Sequence, residues 1–243
     1  MAENFQIVGV LGGMGPLATV DFLRKVLDST PATRDQDHVP MVVCSIPQIP
    51  DRTAAFRGAG ESPLGAMLAC GSRLKAAGAA VVVMPCNTAH LWYAQVESAL
   101  QTPMLHMVDA TLREVLMLVG REASIGILST DATLASGLYV NRSRSEYAGL
   151  SWVQPTAVEM LESVMPGIEA VKAGHLDVGK KHLELAARAL CRRGAQAIVL
   201  GCTEIPVVLD AAAAGVPVID PTAALAREVV SWSFANRKCG DTP

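Results

Sequence analysis

The sequence predicts an α/β fold of two similar domains. Each is a mostly parallel sheet flanked by helices, and a pseudo-two-fold axis relates them across a cleft that holds the site. Three observations carry this. First, a β-branched run ending in a cysteine occurs twice: residues 79–84 lead into Pro85-Cys86-Asn87-Thr88, and residues 195–200 into Gly201-Cys202-Thr203-Glu204. Apolar runs of this kind read as strands buried on both faces. Second, the copies are in register: Cys202 minus Cys86 is 116, as are Gly194 minus Gly78 and Leu190 minus Leu74. Third, residues 7–11 with Leu17-Ala18 match residues 124–128 with Leu134-Ala135 at an offset of 117. A repeat this long is a half-molecule and too long for a solenoid unit. The expected domains are 1–102 plus 210–243, carrying Cys86, and 103–209, carrying Cys202.

The chain has 243 residues, half of them apolar and 18% charged, enough for two small domains with a substantial core. A net charge of −3 gives no electrostatic case for nucleic acid or an anionic membrane. Residues 1–6 are polar and acidic, unlike a signal peptide. The longest uncharged stretch, 76–96, is interrupted by Pro85, Asn87, Thr88 and Gln95, which argues against a membrane span. Six cysteines stand at 44, 70, 86, 191, 202 and 239 without a Cys-x-x-Cys pair, so neither a zinc knuckle nor a disulfide framework is expected. The expectation is a cytoplasmic protein with reduced thiols.

Residues 7–11 read as a strand, and Gly12-Gly13-Met14-Gly15-Pro16 as the turn after it. Pro16 suits the first turn of a helix whose apolar face is expected at Val20, Leu23 and Leu27. The glycines can be fitted to the dinucleotide fingerprint, but the acidic residue expected about 20 residues on is missing. They more simply let a carboxylate approach backbone amides. A loop over 30–40 and a strand over 41–45 lead to Pro47-Gln48-Ile49-Pro50-Asp51-Arg52-Thr53, a proline-pinned loop presenting an arginine. Arg52 reads either as a solvated charge or as a carboxylate ligand.

A helix over 63–77 precedes the strand to Cys86, a helix over 89–100 follows it, and 103–106 is a short strand. The second half opens with a helix over 111–119. The strand 124–128 ends in Ser129-Thr130-Asp131, where the first half has Gly12-Gly13-Met14. A helix is expected over 132–147, with Arg142 and Arg144 on a solvated face, and then a strand over 152–155. A helix over 159–173, broken near Pro166-Gly167, carries Lys172, which reads as a favourable charge at a helix C-terminus. A helix over 180–191 precedes the strand to Cys202. Residues 216–222 repeat the ending of 103–106, and a last helix over 223–232 crosses back to the first domain.

Cys44, Cys70 and Cys191 read as buried small hydrophobes, and Cys239 as an exposed residue of the polar tail. Cys86 and Cys202 differ. Each stands at a strand end before Asn, Thr or Glu residues that suit a helix start, where the dipole stabilises a thiolate. Two thiols facing each other across a pseudo-two-fold suit proton transfer at carbon: one removes a proton and the other returns one from the opposite face. A cysteine titrates near ~8.5, so thiol and thiolate are both within reach. Carbanion stabilisation then calls for Arg52, Lys172 and amides near Asn87-Thr88 and Thr203-Glu204. Other readings are a Cys-His hydrolase using His90 or His106, a metal site with His106 or Glu204, and a redox disulfide. Each leaves a feature idle: the second cysteine, any ligand spacing, or Arg52.

Taken together, Gly12-Gly13-Met14-Gly15-Pro16, Asp35-Gln36-Asp37-His38, Ile49-Pro50-Asp51-Arg52-Thr53, Pro85-Cys86-Asn87-Thr88-Ala89-His90, Val171-Lys172-Ala173-Gly174 and Gly201-Cys202-Thr203-Glu204-Ile205-Pro206 make the chain resemble the cofactor-independent aspartate/glutamate racemases over essentially its whole length. The resemblance implies no cofactor, neither pyridoxal phosphate nor metal, and Cys86 and Cys202 as the paired acid/base residues. It implies carboxylate binding by Asp51, Arg52 and Thr53, by Asn87, Thr88 and Ala89, and by Lys172. Met14, Thr130, Thr203 and Glu204 complete the expected substrate-binding set. Glutamate racemases carry a histidine where this chain has Glu204, which favours the aspartate branch, and both cysteines are present, which favours full racemisation. The family precedent implies a homodimer. Glutamate or broader amino-acid specificity remains open beside aspartate. So does a related activity: hydantoin racemase, maleate isomerase or arylmalonate decarboxylase.

Overall fold

The computed structural model describes residues 5–237. Eight strands form two four-stranded sheets, and every pairing is parallel. The first holds β1 (Val8–Gly12), β2 (Met41–Ser45), β3 (Val81–Val83) and β4 (Met104–Leu105) in the order β2-β1-β3-β4. The second holds β5 (Ser124–Ser129), β6 (Ser151–Val153), β7 (Ala197–Gly201) and β8 (Val218–Ile219) in the equivalent order β6-β5-β7-β8. Register repeats too: Val10 pairs with Val83, and Ile127 with Val199, which lie 117 and 116 residues further on.

Helices α1 (Pro16–Ser29), α2 (Arg52–Phe56), α3 (Leu64–Ala76) and α4 (Tyr93–Leu100) connect the first sheet. The helix α5 (Met107–Val119) leads to the second, which is served by α6 (Asp131–Ala135), α7 (Leu138–Glu146), α8 (Ala157–Glu159), α9 (Met165–Lys172), α10 (Leu176–Arg192) and α11 (Ala211–Ala214). The last helix, α12 (Pro221–Ala235), returns to the first sheet. Alternate strand residues face opposite helical layers. Val8, Val10, Val81 and Val83 pack with Phe22 and Val26 of α1 and Leu225 and Val229 of α12. Leu11 and Val82 pack with Met67 and Leu74 of α3. In the second sheet Ile125, Ile127 and Val199 meet Leu112 and Val115 of α5, while Leu128, Ile198 and Leu200 meet Ile168 of α9 and Leu183 of α10.

Several expectations are corrected. Residues 103–105, placed in the second domain, supply β4 of the first sheet, and residues 218–219, placed in the first, supply β8 of the second. A two-residue strand is recruited by its neighbour and carries no periodicity of its own. The chain changes sheet one strand later than expected, through α5 and α12. On α1 the buried face is Ala18, Thr19, Phe22 and Val26, while Val20 is 62% and Leu27 47% exposed. The helix expected over 132–147 is two helices, split at Gly137, which takes a left-handed φ of 67°. Arg142 is not merely solvated: its guanidinium pairs bidentately with Asp109 of α5 at 2.6 Å. The break expected at Pro166-Gly167 is absent. The helical path continues from α8 to α9 through a π turn over 160–164, and so accommodates a proline that cannot donate. Cys44 and Cys191 are only partly buried; Cys44 lies on β2, an edge strand. Cys239 lies outside the described residues.

The described ends meet: Gln6 Nε2 donates to the Asn236 carbonyl at 3.0 Å, and the Phe5 and Phe234 rings are 5.5 Å apart. Among the described residues no helix is long and apolar enough to cross a membrane.

Candidate active site

In each sheet the order reverses between the two central strands, β1 and β3 or β5 and β7, and clefts open at the carboxyl ends of such strands. The two sheets present these ends to one another. The loops after β1, β2, β3, β5 and β7, with the last residue of α9, surround a narrow cavity of about 20 Å3. Its wall is Met14, Asp51, Arg52, Thr53, Cys86, Asn87, Thr88, Thr130, Lys172, Cys202, Thr203 and Glu204. Every expected site residue except Ala89 therefore lines one space. Ala89 is fully buried behind it, with its backbone amide directed at the Cys86 sulfur.

Local sequence explains the placement. Gly13, at φ 92°, brings the β1 turn against Ile46, where a side chain would lie 2.4 Å from a backbone nitrogen. That contact sets Met14 beside the loop after β2. Asp51 caps α2 by accepting from the Ala54 amide at 2.8 Å, so Arg52 and Thr53 open a helix where a loop was expected. The Arg52 guanidinium donates to the carbonyls of Ile49 and Pro50 at 3.0 and 2.9 Å, which fixes the side chain over its own loop. Gly179 of α10 lets α9 approach closely, since a Cβ there would be 2.5 Å from Val171. Lys172 follows Val171 at the end of α9 and reaches the cavity.

The turns carrying the cysteines differ from the expected helix starts. Cys86 is followed by a 3-10 turn over 88–92 before α4, and Cys202 by a three-residue 3-10 turn over 205–207. Neither Asn87 nor Glu204 caps with its side chain. The Asn87 carbonyl oxygen accepts from the Tyr139 hydroxyl, and its buried Nδ2 has no protein partner. Thr88 meets Thr130 and Thr133 at 3.0 Å each, a buried ring of hydroxyls across the two halves. Thr133 and Tyr139 were not expected; no chemical motif marks them, and only the fold brings them in. Arg57 of the first half pairs with Asp131 of the second beside this ring.

Burial pushes both thiols up from the usual cysteine range, where a helix dipole was expected to lower them. For Cys86 the positive charge of Arg52 and the Ala89 amide oppose that rise. For Cys202 the neighbouring Glu204 adds to it, and Lys172 opposes it. Burial works against the Lys172 charge, but Cys202, Glu204, Asp51 and Cys86 outweigh it, so its ammonium is held more firmly than usual. His90 is no base for either thiol. Its Nδ1 is 2.8 Å from the Cys86 carbonyl and its Nε2 accepts from the Met107 amide at 3.1 Å. Burial holds it neutral down to about 3. It pins the Cys86 turn to the start of α5. Among the described residues no group of three or more His, Cys, Asp or Glu side chains is arranged to hold a metal ion.

Two thiols, two cations and the unpartnered Asn87 amide around one small space are the groups that anion binding and proton transfer call for, the equipment of an enzyme. The Asp/Glu/hydantoin racemase family matches over residues 11–229, and the chain belongs to that family; it is a racemase, an isomerase. It is similar to the Picrophilus torridus aspartate racemase, at 32% identity and a TM-score of 0.84, covering 97% of this chain and 96% of that one. It is 29% identical to the broad specificity amino-acid racemase RacX of Bacillus subtilis (strain 168), over 94% of this chain and 99% of the relative. It is 28% identical to the glutamate racemase of Pseudomonas paraeruginosa (strain DSM 24068 / PA7), over 94% of this chain and 82% of that one.

Proposed function

We propose that the protein is a cofactor-independent aspartate racemase in which Cys86 and Cys202 exchange protons with opposite faces of the substrate α-carbon. The observation that carries this reading is that both cysteines, one from each half, line the same cavity as Arg52 and Lys172. The α-proton of an amino acid is far less acidic than a thiol, so the barrier falls mainly through electrostatic stabilisation of the carbanion. In this reading Arg52 and Lys172 take the carboxylates, and Asn87 Nδ2 and the Thr88 hydroxyl complete their hydrogen bonds. Acid–base thiols must stay reduced, which fits a cytoplasmic setting; a homodimer is carried over from the family resemblance. Incubation with L-aspartate in deuterium oxide should yield D-aspartate with deuterium at Cα. Cys86→Ala and Cys202→Ala should each lower racemisation by about 1,000-fold, as loss of an acid/base group does. Absence of exchange with aspartate and with every other amino acid offered would reject the reading.

A second reading, broad amino-acid specificity, is favoured by an outer chamber of about 490 Å3 that shares Asp51, Arg52, Lys172 and Glu204 with the inner cavity. Its further wall is largely apolar, with Pro16, Leu17, Pro47, Ile49 and Val171, and has room for a long side chain. Turnover of lysine, leucine or methionine at rates comparable to aspartate would favour it.

A further inference from the structure

The two thiols have equivalent backbones but different neighbours. The offset of 116 that relates Cys86 to Cys202 also relates Thr88 to Glu204. At position 88 the hydroxyl is engaged by Thr130 and Thr133. At position 204 a buried carboxylate accepts from Cys202 Sγ at 3.0 Å and from Thr203 Oγ1 at 3.4 Å, both through Oε2. Its other oxygen lies against the glycine turn, where a Cβ on Gly15 would be 3.3 Å away. Cys86 is placed instead under the influence of Arg52 and the Ala89 amide, with Glu204 and Lys172 as further charges.

We infer that Glu204 is a positioning residue that sets the order of ionisation of the pair, holding Cys202 as the thiol so that Cys86 is the first of the two to ionise. Its catalytic meaning rests on the racemase reading. A thiol that donates to a carboxylate loses that bond and gains a like-charge neighbour when it ionises. Lys172 favours ionisation of both thiols and bears more on Cys202 than on Cys86, but the Glu204 carboxylate outweighs it at Cys202. Asp51 bears on Lys172 rather than on either sulfur. In a turnover that begins once Cys86 has ionised, Cys86 takes the α-proton and Cys202 gives its own to the opposite face. Cys202 is left as a thiolate beside Glu204 and Cys86 as a thiol. The reactive state returns when Cys202 regains a proton from solvent and Cys86 releases one.

The test needs no substrate, so its failure is separate from failure of the racemase reading. The ligand-free protein is labelled with iodoacetamide from pH 6 to 10, and the peptides carrying Cys86 and Cys202 are quantified by mass spectrometry. Both cysteines are 6% exposed, so access does not favour either. At pH 7.5 Cys86 should react about ten-fold faster, the ratio that one pKa unit produces. In Glu204→Gln the labelling midpoint of Cys202 should fall by about one unit, the size of a lost charged hydrogen bond, and the Cys86 midpoint should move less. Glu204→Thr, which copies position 88, serves as a second variant, and the wild-type comparison stands by itself if neither folds. Equal or faster labelling of Cys202 in the wild type, or an unchanged or raised Cys202 midpoint in the variants, overturns the inference.

Discussion

His90 shows how a single residue serves the site without reaching it. Between the Cys86 carbonyl and the Met107 amide it ties the β3 turn to the helix that begins the crossing to the second sheet. Burial, reinforced by His106, depresses its pKa to about 3, and burial depresses His106 to about 4. An unfolded histidine binds its proton near ~6.5, so below that pH the unfolded state takes up protons that the folded state refuses. Stability should therefore fall with pH, by up to about 1.4 kcal/mol per unit per histidine, and level off only below the folded values. Urea unfolding at pH 7 and pH 5 measures this. His90→Gln should be less stable at pH 7 yet lose less on going to pH 5; an undiminished slope would mean that His90 is not the neutral group.

At the scale of the element, α1 separates what periodicity can say from what packing decides. Leu17, Val20, Leu23 and Leu27 offer one apolar stripe and Ala18, Phe22 and Val26 another, and the pattern alone does not choose between them. The sheet chooses Phe22, which reaches Val8, Val10 and Leu225. Phe22→Ala should cost about 3–5 kcal/mol, whereas Val20→Ala should stay within about 0.5 kcal/mol, as an exposed substitution does. Thermal or urea denaturation of the two variants distinguishes the faces, and the reverse order would restore the expected one. The strands leading to Cys86 and Cys202 were legible because a fully buried parallel strand needs an unbroken apolar run. The turns after them were not: they obey the neighbouring half of the molecule, as when Tyr139 claims Asn87.

At the scale of the molecule, the repeat at offsets of 116 and 117 anticipated two sheets of equivalent order, since register is inherited with the apolar pattern. It pointed to the two cysteine turns, and the loop motifs and the family resemblance supplied the other residues around the cavity. The places where the chain changes sheet were misjudged, because β4 and β8 are too short to declare their partners. The threonine ring, the Arg57–Asp131 pair and the contacts of α12 with α1 and α5 join segments far apart in sequence, which no local pattern records.

The contact between Gln6 and Asn236 has a consequence for connectivity. Because these two residues lie side by side, a chain trimmed to residues 5–237 could be closed into a ring by a short linker without moving either sheet. New termini opened at the exposed Arg121-Glu122 turn would then start the chain at β5 and finish it with α5. Such a circular permutant should fold, melt within a few degrees of the parent and retain its catalytic rate. Failure to fold would mean that α5 must be tethered to β5 for the second half to assemble.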